Sequence, residues 1–175
     1  EGGMRVYDVT GVQTCALPIW ASKAFGEFVE ETYNTPRVSA AELDRLRADN
    51  TAMVILDSRP ATEYRRMNIP GGVNVPGAEL IHRIHDIAPD PDTLVVVNCA
   101  GRPRSIIGAQ SRINAGPPNR VVALKNAPQG WHLAGLKLEH GPPPHAPTPS
   151  SESPHPAAGP RASAAETLGL SPRQA

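Results

Sequence analysis

The chain has 175 residues, 39% of them hydrophobic, and its 17 basic side chains are balanced by 17 acidic ones. That length suits one globular domain rather than two large ones, and the absence of a long run of one sign argues against a nucleic-acid partner. No apolar run approaches the roughly 18 residues of a membrane span and no basic stretch followed by an apolar core marks a secretory signal, so a cytoplasmic protein without membrane partners is expected.

The first segment, Val9 to Ile19, reads VTGVQTCALPI, which is the one-frame translation of a widely used sequencing-adapter DNA. Residues 1–19 are therefore expected to be an adapter-derived artefact rather than a domain, and Cys15 to have no function. Residues 20–34 are expected to form a linker or N-terminal helix, and a domain is expected over 35–140. Within it a short strand precedes VSAAELDRLR, where Ser39 and Glu42 make a capping box and Leu43 and Leu46 an apolar face. AMVILD, 52–57, is a continuous apolar run of strand length, and SRPATEYRRM predicts a short helix with Pro60 in its first turn. GGVNVPG supplies another short strand between turn residues. AELIHRIHDI aligns Leu80, Ile81, Ile84 and Ile87 on one helical stripe, and Pro89 and Pro91 break the chain before the strand TLVVVN. A helix, SIIGAQSRINAG, closed by Gly116, and a strand, VVALK at 121–125, complete the alternation. Apolar strands separated by helices predict a parallel sheet in a three-layer α/β fold. The remainder, 141–175, is rich in proline, serine and alanine, cannot bury a core, and is expected to be a disordered tail or linker.

Function in such sheets lies beyond the carboxyl ends of the strands, and Cys99 stands just past TLVVVN. CAGRPR makes a tight loop into the next helix, so backbone N–H groups, the helix N-terminus and the charges of Arg102 and Arg104 converge on the sulfur and favour a thiolate. A merely structural cysteine would leave Gly101 and both arginines unexplained. Cys15 and Cys99 lie far apart and lack partners at ligand spacing, so neither a disulfide framework nor a metal site is expected. His82 and His85, on an amphipathic helix without metal partners, are expected at the surface or its boundary.

DSRPATEY, IPGGVNVPGAEL, NCAGRPRS and ALKNAPQGWHLAG follow one another in an order and spacing that resemble the rhodanese family of sulfurtransferases over about residues 35–140. The resemblance implies a three-layer rhodanese-like fold with a five-stranded, mostly parallel sheet flanked by helices. It implies a thiosulfate sulfurtransferase-type enzyme in which Cys99 accepts a sulfane sulfur as a persulfide from thiosulfate or a similar donor, sulfite leaving, and passes it to cyanide or a thiol acceptor. Ala100, Gly101, Arg102, Pro103, Arg104 and Ser105 would form the anion-binding loop, with Arg104 holding the anion and Arg102 either assisting or standing as a solvated charge. Asp57 and Arg59 would support the site structurally, and neither a cofactor nor a metal is implied. VVVNCAGR and GWHLAG resemble bacterial proteins with rhodanese domains in tandem, which makes further rhodanese domains of a longer parent protein the expected partners.

Two other classes share this fold. Rhodanese-fold phosphatases have a loop one residue longer than the four residues between Cys99 and Arg104, and non-catalytic binding or regulatory modules usually lack the cysteine. Glu63 is expected to pair with Arg66 or Arg59 on its own helix, and Trp131 to anchor the last turn in the core. Some positions depart from the family pattern: Pro103 removes one N–H donor from the loop and fixes its φ angle, Asn68 replaces a common histidine, and Pro117 and Arg120 are unusual before the last strand. Arg112 puts a charge beyond Gly108 and Ala109, where it must snorkel or find a partner.

Overall fold

In a computed structural model of the chain, residues 12–142 are described, except Ala78, Arg102 and Pro117 and the side chains of 12–20 and of His82. Eleven elements follow in order: α1 (Val12–Tyr33), β1 (Arg37–Val38), α2 (Ala40–Ala48), β2 (Met53–Asp57), α3 (Ala61–Arg66), β3 (Gly72–Asn74), α4 (Leu80–Ile87), β4 (Leu94–Asn98), α5 (Arg104–Asn114), β5 (Val121–Leu124) and α6 (Ala127–Leu133). The strands form one sheet in the order β1-β5-β4-β2-β3, and every pairing is parallel. The sheet is thus parallel throughout, as the apolar patterning of the strands predicts, where the family resemblance implies a mostly parallel one.

The continuous apolar strands follow from burial on both faces. Leu56, Val95, Val97, Val121 and Ala123 turn to one side and pack with Val29 of α1, Leu80 and Ile84 of α4, and Ile106 and Ala109 of α5. Ile55, Leu94, Val96, Val122 and Leu124 turn to the other side and meet Leu43 of α2 and Trp131 of α6. Alternation along each strand therefore builds two cores, not one wet and one dry face.

Local chemistry sets the helix ends. The Ser39 hydroxyl accepts the Glu42 N–H at 3.2 Å while the Glu42 carboxylate accepts the Ser39 N–H at 2.8 Å, the reciprocal capping box at the start of α2. Asn34 and Asn50, just after α1 and α2, hold φ of 48° and 52°, left-handed positions that asparagine tolerates well after a helix. Trp131 is 2% exposed and donates its indole N–H to the Lys137 carbonyl at 2.9 Å, with the Arg47 guanidinium 5.6 Å from its ring centre. That contact anchors α6 as predicted. Beyond α6 the chain returns to α3: Asn68 and Glu139 exchange backbone hydrogen bonds, and the Gly141 N–H reaches the Arg65 carbonyl at 3.0 Å.

Candidate active site

Because β3, β2 and β4 are neighbours and parallel, their carboxyl ends meet along one edge. Their register sets Asn74 opposite Asp57 and Asp57 opposite Asn98, a polar row across three strands just beneath the loop that carries Cys99. The row is bonded to saturation at Asp57. Its carboxylate accepts from the Arg59 backbone N–H at 3.0 Å, from Arg59 Nε at 2.9 and 3.1 Å, from Arg59 Nη2 at 2.6 Å, and from Asn98 Nδ2 at 2.9 Å. Arg59 Nη2 also donates to the Met67 carbonyl at 2.7 Å, and Asn74 Nδ2 donates to the Arg59 carbonyl at 2.7 Å. Both charges are buried, with side chains 1% and 4% exposed, so each depends chiefly on the other for its burial.

The row also fixes the residue that precedes the cysteine. Ser58 donates its backbone N–H at 2.9 Å and its hydroxyl at 2.8 Å to the Asn98 carbonyl, while the Asn98 amide is held by Asp57. Main chain and side chain are both pinned one residue before the thiol. Cys99 is 1% exposed. The Gly101 N–H donates to its sulfur at 3.4 Å, and the thiol donates to Ser105 Oγ at 3.4 Å. When the sulfur is ionised the hydroxyl reverses and donates, since a serine serves in either sense.

Pro103 stands at the N-cap of α5 with φ −39°, and its carbonyl accepts the Ile107 N–H at 2.9 Å. A proline in a first helical turn removes a donor that has no partner inside the helix. Its other neighbour is α1: a methyl-sized addition at Gly26 would lie 2.6 Å from Pro103 Cβ and 2.8 Å from its Cα. Only a glycine lets the helix approach the loop so closely.

Arg104, the first residue of α5, donates Nη1 and Nη2 to the two carboxylate oxygens of Glu63 at 2.9 and 2.8 Å. Glu63 thus pairs with the loop, not with Arg66 or Arg59 as its helix spacing suggests. The hydrogen bond from Arg104 holds the Glu63 carboxyl below its usual range, and the reciprocal bond raises the guanidinium further. Among the described residues, two hollows border the loop. One of about 300 Å³ is lined by Glu30, Arg37, Gly101, Ser105 and Lys125, and Glu30 and Arg37 form an ion pair beside it. The other, about 450 Å³, lies between α4 and α5 and is lined by Ser58, Leu80, Ile81, Arg104 and Ile107.

Of the residues singled out in the sequence, Cys99, Gly101, Pro103, Arg104 and Ser105 lie together on one loop, with Ala100 between them in sequence, and Asp57 and Arg59 lie in the row beneath. Arg102 and Pro117 lie outside the described residues, as do the side chains of Cys15 and His82; His85 is half-buried. Ser58, Asn74 and Asn98 were missed. Asn98 was legible in principle, as the polar residue that closes a strand of four apolar ones just before the cysteine, whereas the parts of Ser58 and Asn74 depend on strand register. Nothing in the 20–34 sequence signals a part in the site, yet Gly26 and Glu30 border the loop.

A family model described as the rhodanese-like domain matches residues 39–134. Among solved structures, the thiosulfate sulfurtransferase from Pseudomonas aeruginosa is 50% identical with a TM-score of 0.79, over 85% of this chain and 28% of that one. A Rhodopseudomonas palustris protein of unknown function, described as a possible tyrosine phosphatase, is 25% identical with a TM-score of 0.56, over 67% of this chain and 93% of that one. Among curated proteins, an HTH-type transcriptional regulator of Mycobacterium tuberculosis is 33% identical over 106 residues, which are 61% of this chain and 46% of the regulator. The chain spans less than half the length of the mycobacterial and Pseudomonas relatives.

Proposed function

The chain belongs to the rhodanese-like domain family, and from that premise we propose that it transfers a sulfane sulfur from thiosulfate, or a similar anionic donor, through a persulfide on Cys99. The observation that carries this reading is the pairing of the Cys99 sulfur with the Gly101 N–H and the Ser105 hydroxyl, each at 3.4 Å, above a preceding residue held in place by Ser58 and Asp57. The thiolate attacks the outer sulfur of thiosulfate, the donor's S–S bond breaks, and its electron pair leaves with sulfite. Cyanide or a thiol then attacks the outer sulfur of the persulfide and returns the Cys99 thiolate. Gly101 and Ser105 stabilise the Cys99 thiolate before loading and after unloading, and Arg104 attracts the donor. Arg102, beside Gly101 in sequence, adds positive charge to the same loop, while Ala100 and Pro103 complete its backbone. Asp57 and Arg59 hold the platform and do not react. Further rhodanese domains of a longer protein are the proposed partners, a reading supported by the 28% of the Pseudomonas enzyme that this chain spans.

Intact mass after incubation with thiosulfate is the test. The parent protein is expected to gain one sulfur, cyanide to remove it, Cys99→Ser to abolish the gain, and Cys15→Ser to leave it unchanged. A sulfur carried on Cys15 alone would reject the assignment. Hydrolysis of aryl phosphates without any persulfide would establish the phosphatase class instead.

A further inference from the structure

β2 and β4 are adjacent in the sheet, so the segments that leave their carboxyl ends are adjacent as well. This juxtaposition brings Glu63, in the first turn of α3, against Arg104, at the start of α5, although 41 residues separate them. A guanidinium has five N–H groups. Glu63 occupies two of them, one on each terminal nitrogen, and leaves the rest for a ligand. Geometry is therefore not what Glu63 takes from the donor; charge is. An anion approaching Arg104 meets a cation already matched by a carboxylate, with both side chains about two-fifths exposed, at 41% and 38%.

We propose that Glu63 is a specificity-determining positioning residue, which orients Arg104 while cancelling its charge and thereby biases the site towards singly charged sulfur donors over doubly charged ones. The inference rests on the sulfurtransferase reading above and adds the donor's charge class to it. Its physical content is Coulomb's law: the repulsion between the Glu63 carboxylate and the donor is proportional to the donor's charge, so a dianion feels twice the free energy that a monoanion feels. Thiosulfate is the dianion and methanethiosulfonate the matching monoanion. The two load sulfur by the same step: the thiolate forms a bond to the outer sulfur while sulfite or methanesulfinate leaves with the electron pair, and net charge is conserved in both.

Steady-state transfer to saturating cyanide should be measured for both donors with the parent protein and with Glu63→Gln. KM for thiosulfate is expected to fall about tenfold and KM for methanethiosulfonate about threefold, its square root, with kcat changing less than either; partial exposure sets this modest scale. Glu63→Ala, a second neutral variant at this half-exposed position, should repeat the pattern, and Glu63→Asp, which keeps the charge, should retain the parent's ratio of the two KM values. Equal changes for both donors, or a rise in KM for thiosulfate in the neutral variants, would overturn the proposal, because Glu63 would then serve only to hold Arg104 in position. If neither donor loads sulfur onto the parent protein, the sulfurtransferase reading falls and this proposal falls with it.

Discussion

Asp57 and Arg59 are two residues apart in sequence, and both are removed from water, so the carboxylate is the main reason the guanidinium can be buried. Asp57→Asn keeps the shape and removes the charge. It is expected to cost about 3–5 kcal/mol, the range for breaking a buried pair from one side, read as a lower denaturant midpoint at an unchanged m-value. An unaltered midpoint would show that Arg59 is satisfied by the Met67 carbonyl alone. At this scale the sequence was informative where chemistry is local. Cys99 announced itself by standing at the end of an apolar strand with glycine and arginines after it, and DSR announced Asp57 and Arg59. The expected partners of Glu63 on its own helix are not the one it has, because i,i+3 and i,i+4 spacing describes an isolated helix, whereas Arg104 opens the helix that follows the neighbouring strand β4.

The elements themselves were nearly all legible, because strands buried on both faces must be apolar throughout and their helices carry stripes of period 3.6. The positions of β2, β4, β5 and α2 to α5 follow from that patterning, with ends displaced by up to three residues, whereas the helix α6 carries no such stripe and was not expected. The hidden conflict lies in α5, where Ser105, Ala109 and Arg112 follow one another along its buried stripe. Arg112 is 2% exposed, and neither its Nε nor its Nη2 has a hydrogen-bond partner. It finds no ion pair among the described residues, so the partner that a buried charge needs is missing. Burial lowers its pKa to about 10, which means that the folded state disfavours the charged form. This penalty is fully present below pH 10 and is relieved only as pH rises from there towards the unfolded value. Arg112→Leu is therefore expected to raise stability at pH 7 by about 1–3 kcal/mol, and the gain should shrink above pH 10. Denaturant titrations at the two pH values check both statements, and a loss of stability at pH 7 would show that the guanidinium has a partner beyond the described residues.

Across the whole molecule the least legible feature was α1, since nothing in its sequence indicates that it lies against the loop that carries Cys99. Its contacts are nevertheless specific: Val29 enters the core, Gly26 meets Pro103, Glu30 pairs with Arg37, and Thr35 just after it donates to Gln110 at 2.8 Å. All of these lie after residue 19. Deleting residues 1–19 should thus shift Tm by less than the ~4 °C that corresponds to about 1 kcal/mol in a domain of this size, whereas deleting through Tyr33 should lower it by many degrees. A large drop in the shorter deletion would reject the reading of 1–19 as adapter-derived.

The polar row of Asn74, Asp57 and Asn98 bears on how such a domain diversifies. It belongs to three strands, so the groups that pin Asn98, the residue before the cysteine, are distinct from the loop groups proposed to meet the sulfur donor. Inheritance can then treat the two separately. A lineage that exchanges residues between Ala100 and Arg104 alters charge and reach around the sulfur while the row, its buried ion pair and both cores stay as they were. A change in the row has no such freedom, because it disturbs β2, β3 and β4 at once. Divergence among descendants of this domain is accordingly expected to gather in the loop and on the faces of α1 and α3 that border it, and to spare the sheet edge beneath.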